Sequence, residues 1–591
     1  MRISRTSVAL GAIAAVLIGA GIPALGQDKP ESILPPGFGD PVTAPTPAPA
    51  PTGTRPAASA SDTPTSATPT PSASGTPGAT ETPAIDPAAL ARYEMPEYAR
   101  RSLDLVGPVG PAEGGVQPDA FGNEDGRYLE TLMRRLDTPI ASRWLSIGLR
   151  RALLSRLQTP RQVNGADFAA ERAWLLLRMG EAAAARGVVQ YVDTDNYTPK
   201  LYEVALQTAL ANGDPAALCS AADGGVALGR ERGWVLAQAM CAGLAGQPTK
   251  AQALIKSARD TGVAGGIDLL LAQKIAGSGA KGGQAVTIEW ESVDRLTAWR
   301  YGLAMASGAE IPDALFATVS PNVQSWRALS PSLTAKVRAS AAEQAAVRGV
   351  FSNAALVDLY GAIDADDDQS GAEVGIAHDL RTAYTAELPA RIEALKGLWD
   401  EPKTPDARYA RLILTARAAA RIPVDATDVD IDRLIASMLT AGLDRSAMRW
   451  RDKAPRYGDA WAMLSLADPD RVAISYADVG RYKSANETLL KRQMLFAGLA
   501  GLGRMSVADI NRGASGLDVP IGADNAWTRA LSHAAIAHEP ATVLLLAGIG
   551  MQTRMWHGVS PVALYHIVTA LRAVGHEGEA RMIAAEAIAR L

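Results

Sequence analysis

Cysteine is almost absent: Cys219 and Cys241 are the only two in 591 residues. Two thiols build neither a multi-disulfide scaffold nor a four-thiolate zinc or iron–sulfur site. Aromatic residues make up only 5% of the chain, and unusually the eleven Trp outnumber the six Phe. Histidine is scarce, with six residues in all. Charge of one sign is missing too: 58 Lys+Arg stand against 62 Asp+Glu, for a net of −4. That near balance argues against a nucleic-acid binder led by phosphate neutralisation.

The N-terminus sets an expected compartment. Arg2 and Arg5 precede an uncharged run over residues 8–25, which ends in the small-x-small site Ala24-Leu25-Gly26. This is the three-part pattern of a secretory signal peptide over residues 1–26 and predicts a periplasmic or otherwise exported protein. The alternative is an inner-membrane anchor through residues 8–25, since 18 apolar residues just span a bilayer. Pro23 and the wealth of Gly and Ala favour cleavage, after which no membrane insertion is expected. Export would permit a disulfide between Cys219 and Cys241, although spacing alone does not bring their Cα atoms within about 7 Å.

Residues 27–85 read as a linker. Within residues 41–84 there are 11 Pro, 11 Thr and only three charges, with no aromatic residue. Such a tract cannot bury enough apolar surface to offset its ordering entropy. A disordered spacer, partly polyproline II at about 3.1 Å per residue, is expected.

From residue 86 the composition turns to helix formers. Leu145, Leu149, Ala152, Leu153 and Leu157 fall on one helical stripe. Ser560-Pro561 reads as an N-cap followed by Pro at the first helical position, and Gly575 as a helix stop. The alternating stretch 285–290 is short and isolated. The more informative signal is a recurring turn: Gly180 with Ala185, Gly246 with Ala251, Gly442 with Ala447, Gly480 with Ala485 and Gly575 with Ala580 share Gly-x4-Ala. Gly213 is a near match, and Gly180, Gly213 and Gly246 are spaced 33 residues apart. A glycine that ends one helix in a left-handed conformation, followed by a small residue early in the next, describes a helix hairpin. One hairpin cannot bury its apolar face alone and must stack on neighbours. The expected fold is therefore all-α, a solenoid of stacked antiparallel hairpins over residues 86–591. Two lobes, 86–361 and 376–591, are an alternative.

Gly480-x-Tyr482-x-x-Ala485 resembles the inter-helix turn of tetratricopeptide-like (TPR-like) repeats. The rest of that family's pattern is degenerate: its Trp and Leu-Gly positions and closing Pro are not found in register. The order of signal, Pro/Ala/Thr tract and helical body also resembles uncharacterised proteobacterial envelope proteins labelled antifreeze-glycopeptide-related. That label follows tract composition, and the regular Ala-Ala-Thr repeats of ice binding are absent here.

Catalytic signatures are few. His533 and His538 are five apart, unsuited to two ligands on one helical face. The other four histidines, His378, His557, His566 and His576, fit a surface or inter-helix role. Asp364, Asp366, Asp367 and Asp368 open like a calcium loop, but the twelfth position is Ala377 where a carboxylate should stand. Trp144, Trp174, Trp234, Trp299, Trp450, Trp461 and Trp527 sit in helical patterns, as core packing or as walls of a ligand groove. No phosphate-cradling loop, nucleophile elbow or transglycosylase-like Glu-Ser motif appears. No metal and no cofactor is expected. The reading is a non-catalytic scaffold that binds another envelope macromolecule, first a protein and second peptidoglycan or another glycan. The alternative is a carbohydrate-active envelope enzyme on a helical superhelix, and a third option is a structural spacer.

Overall fold

The structure is a computed structural model and describes residues 96–229, 231–279, 286–366 and 370–591. The expected signal segment and linker lie outside the described residues, as do Asp367 and Asp368. Among the described residues the chain is all-α apart from one antiparallel ladder, with Leu105 opposite Gln158 and Val106 opposite Leu157, and two isolated bridges, Val109 with Ser155 and Asp125 with Arg161. Residues 286–290 form no strand.

The α-helices of nine or more residues run in chain order. The first twelve are α1 Gly126–Arg135, α2 Arg143–Leu154, α3 Gly165–Arg178, α4 Ala182–Gln190, α5 Pro199–Ala211, α6 Arg232–Leu244, α7 Pro248–Asp260, α8 Gly266–Ser278, α9 Ala298–Ser307, α10 Pro321–Leu329, α11 Ala335–Val347 and α12 Asn353–Asp364. They continue as α13 Ala372–Thr385, α14 Leu388–Asp400, α15 Pro405–Ala419, α16 Ile431–Thr440, α17 Asp459–Ala467, α18 Thr488–Gly501, α19 Val507–Gly516, α20 Ala526–Ile536, α21 Pro540–Gly550, α22 Pro561–Ala573 and α23 Glu577–Arg590.

Helix starts follow local chemistry. Thr198, Thr404 and Ser560 each precede a Pro at the first helical position, and each side-chain oxygen accepts from a backbone N–H three residues on. Pro lacks the N–H that a first turn leaves unpaired anyway, and the hydroxyl satisfies the next donor. One expectation needs trimming: α2 stops at Leu154, so Leu157 leaves the helical stripe and is buried in the short ladder instead.

The hairpin turns share one geometry. Gly180, Gly213, Gly246, Gly442 and Gly575 all have φ between 61° and 89°. In each, the N–H of the following residue donates back to the carbonyl five residues earlier, as Glu181 does to Leu176 at 2.9 Å and His576 to Leu571 at 2.8 Å. This is the Schellman arrangement. The paired Ala185, Ala251, Ala447 and Ala580 are all buried. Gly480 and Ala485 depart from the pattern. Gly480 lies inside the short helix Tyr476–Arg481 without a left-handed φ, and Ala485 is exposed in the loop before α18. The chain there is set by other groups: a Ser475–Asp478 capping box starts the helix, and Tyr482 is fully buried with its hydroxyl donating to Asp459 at 2.5 Å.

Successive helices pack on the next or next but one, as α3 does on α4 and α5, and α6 on α7 and α8. The chain also doubles back. Helix α9 lies on α5, α10 on α4, and α11 and α12 on α15. Gly302 lets α9 and α5 touch, since an added Cβ would fall 2.5 Å from the Leu210 carbonyl oxygen. Finally α21 and α23 return to α2, bringing the two ends of the helical body together. Covered by α1 and α2 as well as by α20 and α22, α21 buries Val543, Leu544, Leu545 and Leu546 around its circumference. A helix that is apolar all round is buried all round. The buried apolar side chains form one large cluster from Val106 to Ile588, to which both Ile363 and Ala377 belong, and a small separate one of Ala242, Ala251 and Ala276.

Candidate functional site

The meeting of the chain ends is built around Glu586 of α23. Its carboxylate accepts from Ser142 Oγ at 2.6 Å and from the Arg143 N–H at 2.9 Å, so it caps the start of α2 from 443 residues away. Arg590 donates to the same carboxylate at 3.1 Å, to the Ala141 carbonyl at 2.8 Å and to Asp406 at 3.2 Å. Its guanidinium also lies 4.5 Å over the Tyr409 ring. Burial pushes the Tyr409 hydroxyl up, and the neighbouring Glu586 charge adds to this. Burial pulls Arg143 down from the usual arginine value. Four ionisable side chains from α2, α15 and α23 therefore share one dry junction.

Beside this junction opens a cleft of about 800 Å³. Its walls come from six separate stretches: Pro139 to Ala141, Pro321, the face of α11 and its end from Ser340 to Arg348, the start of α15 from Thr404 to Leu412, the loop Arg554 to His557, and the end of α23. Four arginines line it (Arg348, Arg408, Arg554 and Arg590) against two carboxylates, Glu343 and Asp406. Counted over side chains, that is a surplus of two positive charges on a chain whose net is −4. Both carboxylates are engaged: Glu343 pairs with Arg411 and accepts from the Tyr360 hydroxyl at 2.5 Å, and Asp406 pairs with Arg590. Arg348 donates to the Pro321 carbonyl at 2.6 Å and Arg408 to the Pro402 carbonyl at 3.3 Å. Neither they nor Arg554 is paired with an acid among the described residues. Burial lowers the Arg348 pKa, the like charge of Arg554 lowers it further, and Asp406 opposes.

The residues singled out from sequence are dispersed. Cys219 and Cys241 are bonded, with Cα atoms 5.3 Å apart, and tie the 3-10 turn Pro215–Leu218 to α6. None of the glycine–alanine pairs lines the cleft. Of the histidines, only His557 lines the cleft; His533 sits 3.7 Å from Glu124, His576 3.4 Å from Glu579, and His378 beside Arg381. Half-buried His566 contacts Trp527 and Tyr565 edge-on, and burial pulls its pKa down. Asp364 ends α12 and pairs with Arg381 at 3.3 Å. Trp174, Trp234, Trp299 and Trp450 are buried; Trp144, Trp461 and Trp527 pack half-buried against the core. The cleft tryptophan is Trp556, which was not singled out because its loop has no helical periodicity.

No family model, curated protein or solved structure matches the chain. Among the described residues no helix is long and apolar enough to cross a membrane.

Proposed function

We propose that this chain is an exported, non-catalytic scaffold that binds another cell-envelope protein at the cleft between its joined ends. In this reading the body is a degenerate TPR-like pile of helix hairpins, bent until α21 and α23 rest on α2. The observation that carries it is the cleft itself: about 800 Å³, with three arginines lacking an acidic partner among the described residues. That volume lies within the range of specific ligand sites, and unpaired guanidiniums are ready carboxylate receptors. The signal pattern of residues 1–26 and the Cys219–Cys241 bond both favour an oxidising compartment. The engaged state of Glu343 and Asp406 favours binding over glycan cleavage, which needs one carboxyl free to protonate and another free to attack or activate water.

The test is crosslinked capture from envelope fractions by the wild-type chain and by an R408E/R554E double variant. A partner recovered by the first and lost by the second is the expected result. No partner above background, or equal recovery by both, contradicts the reading. So does reproducible release of fragments from peptidoglycan or polysaccharide that is abolished by E343Q or D406N.

A further inference from the structure

A recess of about 60 Å³ opens beside the cleft and shares Pro139, Ile140, Pro321 and Arg348 with it as walls. At about 15 Å³ for each water-sized sphere, it has room for about four heavy atoms, the size of an aspartate side chain or the end of a glutamate. Two arginines line it, Arg178 and Arg348, and its lining contains no carboxylate. Arg178 is anchored by donating to the Leu136 carbonyl at 2.7 Å. Arg348 gives one Nη to Pro321 and faces the like charge of Arg554 across the cleft mouth. Asp406 acts on Arg348, and Glu171 and Asp137 on Arg178, only from a distance; neither guanidinium has an ion-paired carboxylate among the described residues, and an anion in the recess would supply one.

The remaining walls discriminate between kinds of anion. The exposed apolar surface is Met555 on the rim, 62% exposed, because Ile140, Val347 and Leu412 behind it are 6–8% exposed. The aromatic rings a sugar would stack on are turned in: Tyr409 is 4% and Trp556 1% exposed. Arginines beside an exposed methionine, with no exposed aromatic ring, suit a peptide carrying acidic and aliphatic side chains better than a glycan.

We propose that the recess and cleft bind an acidic peptide segment of the partner protein. One Glu or Asp carboxylate enters the recess to meet Arg348. An aliphatic neighbour covers Met555, and a second carboxylate meets Arg554 or Arg408 at the rim. This rests on the binding-scaffold reading and names the chemistry of its ligand.

The experiment is fluorescence anisotropy of the full chain with labelled hexapeptides of alternating Glu and Leu, Gln and Leu, or Lys and Leu, and with a labelled oligogalacturonate. The Glu/Leu peptide should bind, the Gln/Leu peptide about tenfold or more weaker, and binding should weaken as salt rises. R554E changes an exposed side chain and should cost about tenfold; R348Q should cost about thirtyfold. R554E carries the test alone if R348Q does not fold. Equal binding of the Gln/Leu peptide, preference for Lys/Leu, or binding of the oligogalacturonate alone overturns the acidic-peptide assignment while leaving a binding cleft. Failure of every probe, together with envelope capture unchanged by R408E/R554E, overturns the scaffold reading as well.

Discussion

Replacing Glu586 with Ala removes the one acceptor shared by Ser142 Oγ, the Arg143 N–H and Arg590. The Glu586 side chain is 1% exposed and that of Arg590 9%. Water therefore cannot take over the lost bonds. Breaking one side of a buried, hydrogen-bonded ion pair costs about 3–5 kcal/mol, because the partner charge stays behind undersolvated. Arg590 keeps Asp406 at 3.2 Å, which places the expectation at the lower end, about 3 kcal/mol. Glu577, on the same helix, forms a bidentate pair with exposed Arg471, where water screens the charges, so E577A should cost much less than E586A. Urea unfolding of both variants measures the difference. Hydrogen exchange on peptides covering the start of α2 should speed up for E586A and stay unchanged for E577A. If E586A costs no more than E577A, or leaves exchange at Arg143 and Trp144 unaltered, Glu586 does not hold the chain ends together.

Three further outcomes follow from particular contacts. Burial pushes the Glu181 carboxyl up to about 7, against the pull of Arg150, from an ordinary value of 4.5. The native state then holds a proton that the unfolded state has lost between these values. The Glu181 contribution to stability should be complete below pH 4.5 and fall by about 3 kcal/mol as pH rises to 7. E181Q should flatten that slope in urea titrations across the window, and an unchanged slope refutes the assignment. The Cys219–Cys241 bond closes a loop of separation 22, so C219S/C241S should lower stability by about 3 kcal/mol on loop-closure grounds. Less than about 1 kcal/mol would mean that the unfolded chain is not constrained as argued. Gly180→Ala places a Cβ 2.6 Å from Ser325 at φ 89°, whereas Gly246→Ala at φ 73° meets nothing within 4 Å. Both should lose about 1–2 kcal/mol for the left-handed backbone, and G180A should lose more, measured by thermal unfolding. Equal losses would show that the contact between the α3–α4 turn and α10 relaxes freely.

Local chemistry was legible in the sequence and long-range closure was not. The turns at Gly180, Gly246, Gly442 and Gly575 could be read because a left-handed glycine and a buried alanine five positions on leave a local signature. The same Gly-x4-Ala spacing with a left-handed glycine stands at Gly349 with Ala354 and at Gly503 with Ala508, where φ is 85° and 69°, but Ala354 is half-buried and Ala508 exposed. At Gly480 the spacing occurred by composition alone, since a buried Tyr482 and the Ser475 capping box shape that segment. The Glu586 junction had no sequence signal, because an isolated Glu in an Ala-rich helix looks like any solvated face. The cleft draws its walls from six distant stretches, so no window of sequence contains it. Its one compositional trace was the excess of 46 Arg over 12 Lys, which is shared with the rest of the chain.

Site-specific photocrosslinking in intact cells reaches the central claim most directly. A benzophenone side chain placed at Met555, exposed on the cleft rim, is compared with one at Ile536, which is 81% exposed outside the cleft. An adduct with an acidic segment of an envelope protein at position 555, absent at 536 and lost on adding R554E, is the predicted result. Adducts of equal strength at both positions, or none at 555, would contradict it.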